Sequence, residues 1–248
     1  MFYFEEINCK KILKNSYLSE NDLEHFFTTR DSVIFSNEKN LQPKILENKR
    51  DICNYLQIQE ENLIRPIQTH SGNVEIAKVE KIAYPNTDAI ILTNKTQAVF
   101  MNFADCTPII LHDPKENIAA IIHAGWKGTV EKIVVNTINK MIQNNCNPQN
   151  IIAVIGPAIS SCCFEIGNDV YIKLKETINA EQISQCFEFK NNKIFADLKM
   201  INKYQILSVG VEKVDISSYC TSCDNNLFFS YRKENGTTSR HSAVIKLK

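Results

Sequence analysis

Two long, almost uncharged apolar runs constrain this chain more than any other feature: Ala98–His112 and Asn117–His123, rich in Val, Ile and Phe and punctuated by Asp113-Pro114. Such runs are the pattern of strands buried on both faces, which requires layers above and below them. An amphipathic stretch follows at Thr129–Gln143, where Val130, Ile133, Val134, Ile138, Met141 and Ile142 share one helical face until Asn144-Asn145 and Pro148 end it. Ile151–Ile155, closed by Gly156-Pro157, repeats the strand pattern. Asn168–Ile178 and Asp197–Val209 read as helices, the second stopped by Gly210 as a C-terminal cap. Val214–Tyr219, Leu227–Tyr231 and Ser242–Leu247 read as closing strands. The segment up to about Asn62 is rich in Asn, Lys and Glu, with helix-like stretches at Ser19–Phe26 and Leu46–Leu56. Strands and helices interleave, so the chain is of the mixed α/β class. No repeat, low-complexity tract or Pro/Gly/Ser-rich linker divides it, and residues 1–248 are expected to form a single domain.

The charge balance narrows the partners. Lys and Arg number 28, as do Asp and Glu, so the basic excess of a nucleic-acid or membrane-surface protein is missing from the total. The start, Met1-Phe2-Tyr3-Phe4-Glu5-Glu6, carries acids where a signal peptide needs basic residues, and no apolar run reaches membrane-spanning length. A cytoplasmic protein is therefore expected. In that setting nine cysteines read as free thiols rather than a disulfide framework. Cys220-Thr-Ser-Cys223 has zinc-knuckle or redox spacing, but no second Cys-x-x-Cys accompanies it, and Cys162-Cys163 is merely an adjacent pair.

Chemistry concentrates in three short pieces: Gln68-Thr69-His70, Ala104-Asp105-Cys106 and His123-Ala124-Gly125-Trp126. One thiolate and two imidazoles make the ligand set of a zinc site with three protein ligands, whose fourth position stays open to water or substrate. The same residue types are also common in cores, and their wide separation matches no local zinc motif. Each piece lies at the end of an apolar stretch beside turn residues, which is where sites of α/β folds collect. After His123, the turn Gly125-Trp126-Lys127-Gly128-Thr129 leads into the expected helix, with Thr129 as a cap. A helix N-terminus with an added Lys127 suits an anion, although a solvated lysine on a tight turn satisfies the sequence equally.

At these residues the chain resembles the YfiH-type family of laccase-domain proteins, labelled multicopper polyphenol oxidoreductases and associated with purine nucleoside phosphorylase activity. The resemblance is carried by Phe27-Thr28-Thr29-Arg30, Asn48-Lys49-Arg50, Gln68-Thr69-His70, Thr87-Asp88-Ala89, Ala104-Asp105-Cys106-Thr107-Pro108 and His123-Ala-Gly-Trp-Lys-Gly-Thr129. It continues through Ile155-Gly156-Pro157, Phe164-Glu165-Ile166-Gly167, Tyr219-Cys220-Thr221, Phe229-Ser230-Tyr231-Arg232 and Ser239-Arg240. It implies mixed β-sheets flanked by helices, layered α/β/β/α, with His70, Cys106 and His123 as metal ligands and catalytic centre. By the same resemblance Arg50, Asp88, Asp105, Lys127, Arg232 and Arg240 fall near the substrate and phosphate pocket. Lys127 stands where Arg is common, Ser239 replaces a usual Gly, and Asp31–Ser36 lacks the glycines usual there.

The implied activity is phosphorolysis of adenosine, inosine or guanosine to base and ribose 1-phosphate. Methylthioadenosine cleavage and zinc-dependent adenosine deamination are further associations. Zn²⁺ is the expected cofactor, with adventitious copper binding in vitro because Cu²⁺ outcompetes Zn²⁺ at most N/S sites. Multicopper oxygen reduction needs many more imidazoles than His25, His70, His112, His123 and His241 provide. His25 and His112 have bland neighbours and read as structural. A different class uses the same trio without metal: a cysteine hydrolase with Cys106 as nucleophile and His70 or His123 as base, for which the resemblance implies a place in cell-wall precursor editing.

Overall fold

A computed structural model describes residues 1–81 and 83–248. Its first sheet runs in spatial order β1 (Phe2–Ile7), β2 (Lys10–Asn15), β3 (Leu23–Thr28), β15 (His241–Leu247), β7 (Ala98–Phe103) and β4 (Leu63–Ile64). A second runs β14 (Lys213–Ile216), β10 (Ile152–Ile155), β8 (Thr107–Asp113), β9 (Ile118–Ala124), β6 (Ala89–Leu92) and β5 (Val74–Ile76). A small third sheet holds β11 (Glu165–Ile166), β13 (Lys193–Ala196) and β12 (Phe187–Lys190).

Side-chain alternation stacks the two large sheets. In β7, Val99, Met101 and Phe103 face the second sheet, joining Ile90, Ile110, Ile121 and Val154, while Ala98 and Phe100 face the other way. That outer face is covered by α2 (Gln42–Leu56) through Ile52 and Leu56. The far face of the second sheet is covered by α4 (Ile133–Ile142) and α7 (Leu198–Ser208), with Ile133, Val134, Ile138, Met141 and Ile206 on Ile109, Leu111, Ile122 and Ala153. The layers are therefore α/β/β/α, as expected. Two short helices, α1 (Ser16–Ser19) and α6 (Ile183–Cys186), fill connections, and α5 (Asn168–Lys175) lies over the third sheet. Among the described residues no helix is long and apolar enough to cross a membrane.

Several expectations need correction. Ser19–Phe26 is not helical: Leu23 and Phe27 point between the sheets while Phe26 points to α2, a period of two that belongs to β3. The polar N-terminus forms a hairpin whose turn residues Asn8 and Cys9 both have positive φ (47° and 61°), the geometry of a two-residue type I′ loop. Ala98–His112 is two strands in different sheets, β7 and β8, joined by Ala104-Asp105-Cys106. Leu227–Tyr231 forms turns, with Phe228 and Phe229 buried as plugs rather than paired in a ladder.

The helix expected over Thr129–Gln143 begins earlier and breaks. Gly125 caps α3 (Trp126–Val130), and Lys132 at φ +55° separates it from α4. Thr129 is buried inside α3 instead of capping it; its hydroxyl accepts from Asn202 Nδ2 (3.0 Å) and its carbonyl from Gln205 Nε2 (3.0 Å), both on α7. Gly210, at φ +86°, ends α7 as anticipated.

Candidate metal centre

The three-residue step from β7 to β8 carries the chain from one sheet to the other, and Cys106 sits at its end. His123 continues the inter-sheet face of Ala119 and Ile121 on β9, so it arrives beside Cys106 from the neighbouring strand. His70 comes from the loop between β4 and β5. Their donor atoms lie within 4.8 Å of one another, and the two imidazoles meet edge to face at 4.8 Å between centroids. Phe103, from the opposite sheet, packs on His123 at 5.3 Å. A Cβ on Gly125 would stand 3.0 Å from both Cys106 Sγ and His70 Cδ2, so only a glycine leaves the cluster undisturbed.

Two residues here hold left-handed backbone: His70 at φ +63° and Asp105 at φ +88°. Non-glycine residues take that conformation only when their surroundings impose it. For His70 the imposing group is Asp88, fully buried, whose carboxylate accepts from the amides of Thr69 (3.0 Å), His70 (3.0 Å) and Ser71 (2.8 Å) and from the Ser71 hydroxyl (2.7 Å). For Asp105 the carboxylate accepts from Thr221 Oγ1 (2.7 Å) and the Arg232 amide (2.7 Å).

Asp88 also accepts from His123 Nδ1 at 2.8 Å, which leaves Nε2 as the free donor atom of that ring. Burial alone would raise the Asp88 carboxyl, but the His123 and Ser71 bonds outweigh it and hold it well below the carboxylate range. Burial likewise opposes a Cys106 thiolate, yet the charge and hydrogen bond of His123, with a bond from His70, bring the thiol below its ordinary value. The reciprocal effect raises His123 despite its burial. A thiolate, two imidazoles and a carboxylate orienting one of them are the donors and support that zinc sites use. The residues fit the metal.

The cluster forms the floor of a cavity of about 590 Å³. Asp105, Arg232 and Arg240 line it with His70, Cys106 and His123, as do Gln68, Phe164 and Tyr231, which the sequence reading named only as parts of longer motifs, and Arg65, Asn102 and Phe35, which it did not name as site residues. Arg65 stacks on Phe35 (4.8 Å) and Arg232 on Phe164 (5.5 Å). Gln68 donates to the Asn102 carbonyl and accepts from its amide, both at 2.9 Å, extending the pairing of β4 with β7 down to the floor. Three anticipated pocket residues lie elsewhere. Asp88 is beneath the cluster, Arg50 is on the exposed side of α2, and Lys127 is exposed over the Trp126 ring.

This is a mixed α/β protein with an open thiolate–diimidazole centre at the crossover between two stacked sheets. Residues 34–248 match the family described as multi-copper polyphenol oxidoreductase laccase, and the chain belongs to it. It is 29% identical over 213 residues to purine nucleoside phosphorylase YlmD of Geobacillus stearothermophilus, covering 81% of this chain and 78% of the relative. It is also 29% identical over 202 residues to adenosine deaminase RL5 of an unknown prokaryotic organism, covering 77% of each. The crystal structure of the Bacillus licheniformis hypothetical protein YfiH superposes with a TM-score of 0.87 at 26% identity, over 99% of both chains.

Proposed function

We propose that the chain is a purine nucleoside phosphorylase acting on adenosine, inosine or guanosine, with methylthioadenosine as a further substrate and adenosine deamination as a side activity. The observation that carries this reading is the cavity itself: guanidinium groups and aromatic rings converge above an open ligand set. Phosphorolysis breaks the bond from ribose C1′ to the base nitrogen and forms one from C1′ to a phosphate oxygen. Arg65 and Arg240 supply the paired N–H donors that hold phosphate. Phe35, Phe164 and Tyr231 supply flat apolar surface for a purine. Relatives named as phosphorylase and deaminase support the same substrate class.

His70, Cys106 and His123 would hold zinc. When bound, such an ion contributes Lewis-acid charge and lowers the pKa of water. Asp88 keeps the His123 tautomer and the His70 loop in place. Free thiols agree with the reducing cytoplasm we assign to the protein.

The depressed Cys106 thiol between two imidazoles favours one second reading, the metal-independent cysteine hydrolase. A single experiment separates the two: base release from adenosine and inosine with and without phosphate, for the parent and Cys106→Ala proteins, alongside a zinc count. Phosphate-dependent release that disappears in Cys106→Ala together with about one zinc per chain supports the phosphorylase. No release, with Cys106 freely alkylated by iodoacetamide, sinks it in favour of the hydrolase.

A further inference from the structure

The two cysteine pairs that looked unrelated in the sequence meet in space. Cys162 and Cys163 lie in the turn after β10, and Cys220 and Cys223 in the loop after β14. All four sulfurs lie within 4.8 Å of one another. Sγ separations are 3.6 Å for Cys162–Cys220, 3.6 Å for Cys162–Cys223 and 3.5 Å for Cys163–Cys223. A tetrahedral zinc with Zn–S bonds of about 2.3 Å places its sulfurs about 3.8 Å apart. A disulfide would need a pair at about 2.05 Å, and none of the four is so placed.

We propose that Cys162, Cys163, Cys220 and Cys223 form a second, four-thiolate zinc site, separate from the His70/Cys106/His123 centre. The surroundings of one of the sulfurs, that of Cys220, suit negative charge. Amides of Ser160 (3.4 Å), Ser222 and Cys223 donate to Cys220 Sγ. The buried ammonium of Lys199 is held against the same loop by the Ser217 and Tyr219 carbonyls (3.0 and 3.1 Å) and offsets charge on the cluster. Cys162 and Cys223 are exposed, so an ion has a path in. Binding exchanges thiol protons for zinc–sulfur bonds and requires no oxidant. With all four positions taken by protein, the site is a structural brace.

What it braces is the cavity wall. Thr221, between two of the ligands, holds the Asp105 carboxylate, and Phe164, next to Cys163, lines the cavity. The Glu165 carbonyl accepts from the Arg232 guanidinium at 3.1 Å. The four sulfurs thus tie together two loops that position the crossover turn and one side of the pocket.

The test uses the full chain purified under reductant, stripped of metal and reloaded with Co²⁺ as spectroscopic probe. The thiolate-to-cobalt charge-transfer band should be strong in the parent and in Cys106→Ala. It should fall about fivefold in Cys163→Ser/Cys223→Ser, as sulfur ligation drops from both sites to Cys106 alone. Zinc content before stripping should be about two per chain, falling to one in either variant. Should the double variant not fold, thiol labelling of the parent decides: four or five thiols should become reactive on adding chelator. Equal bands in parent and double variant, a band lost entirely with Cys106→Ala, or thiols released by reductant but not by chelator would overturn the proposal. Because Cys106→Ala isolates the second site, failure of the phosphorylase reading leaves this result unaffected.

Discussion

At the scale of single residues, the centre is governed by groups that do not touch the cavity. Asp88 orders three consecutive amides and the His123 ring with one carboxylate. Asp88→Asn should weaken metal binding and kcat/KM by about 10–100-fold, as loss of a supporting carboxylate does elsewhere; a chelator competition titration reads the first and nucleoside turnover the second. Gly125→Ala should leave the thermal midpoint near that of the parent yet cut turnover more than about tenfold, because a new methyl meets the thiol and His70 and small displacements of reacting groups are costly. Turnover unchanged in Gly125→Ala would show that the cluster is not where the chemistry occurs. The three residue types and their turn contexts were legible in the sequence, but joining His70, Cys106 and His123 into one candidate site rested on the family resemblance, because their spacing matches no local motif. Arg65 and Asn102 were not legible as site residues, because ordinary polar residues become pocket residues only through the loop path that brings them there.

At the scale of elements, function depends on where strands and helices stop. β7 and β8 read as one run because both are buried on both faces, and period alone does not reveal a change of sheet. The break between α3 and α4 escaped for a related reason: the apolar face persists across it, while Lys132 turns left-handed. An exposed lysine there bears a backbone cost that glycine avoids, so Lys132→Gly should stabilise the protein by about 0.5–1 kcal/mol in urea unfolding. A destabilisation of that size would mean that the lysine side chain or chain stiffness outweighs the strain. Ile138→Ala, by contrast, empties a fully buried site between α4 and the second sheet and should cost about 2–5 kcal/mol.

At the scale of the whole molecule, three histidines outside the centre are sealed within the layers. Burial holds His25 and His112 down to about 4 and His241 to about 3. His25 must stay neutral, since Nε2 accepts from the Asn15 amide (2.9 Å) while Nδ1 faces the Leu23 carbonyl (3.0 Å). Folded pKa values below the unfolded value of about 6.5 mean that the unfolded chain binds more protons in between. Stability is therefore full above pH 6.5 and falls as pH drops toward 4, by on the order of 3 kcal/mol per histidine. Urea midpoints measured across that range should show the loss, and His25→Gln should remove about a third of it; a midpoint constant from pH 7 to 4.5 would contradict the buried-neutral assignment. The sequence by itself determined the class of the fold, most of the buried strands and most helices, because hydrophobic period is a local property, while the candidate thiolate–imidazole trio came from residue types joined by the family resemblance. Which sheet each strand joins, which arginines face the cavity, and the meeting of Cys162-Cys163 with Cys220 and Cys223 were decided only by tertiary packing. Such contacts join residues far apart in the chain, and no local pattern records a distance across a core.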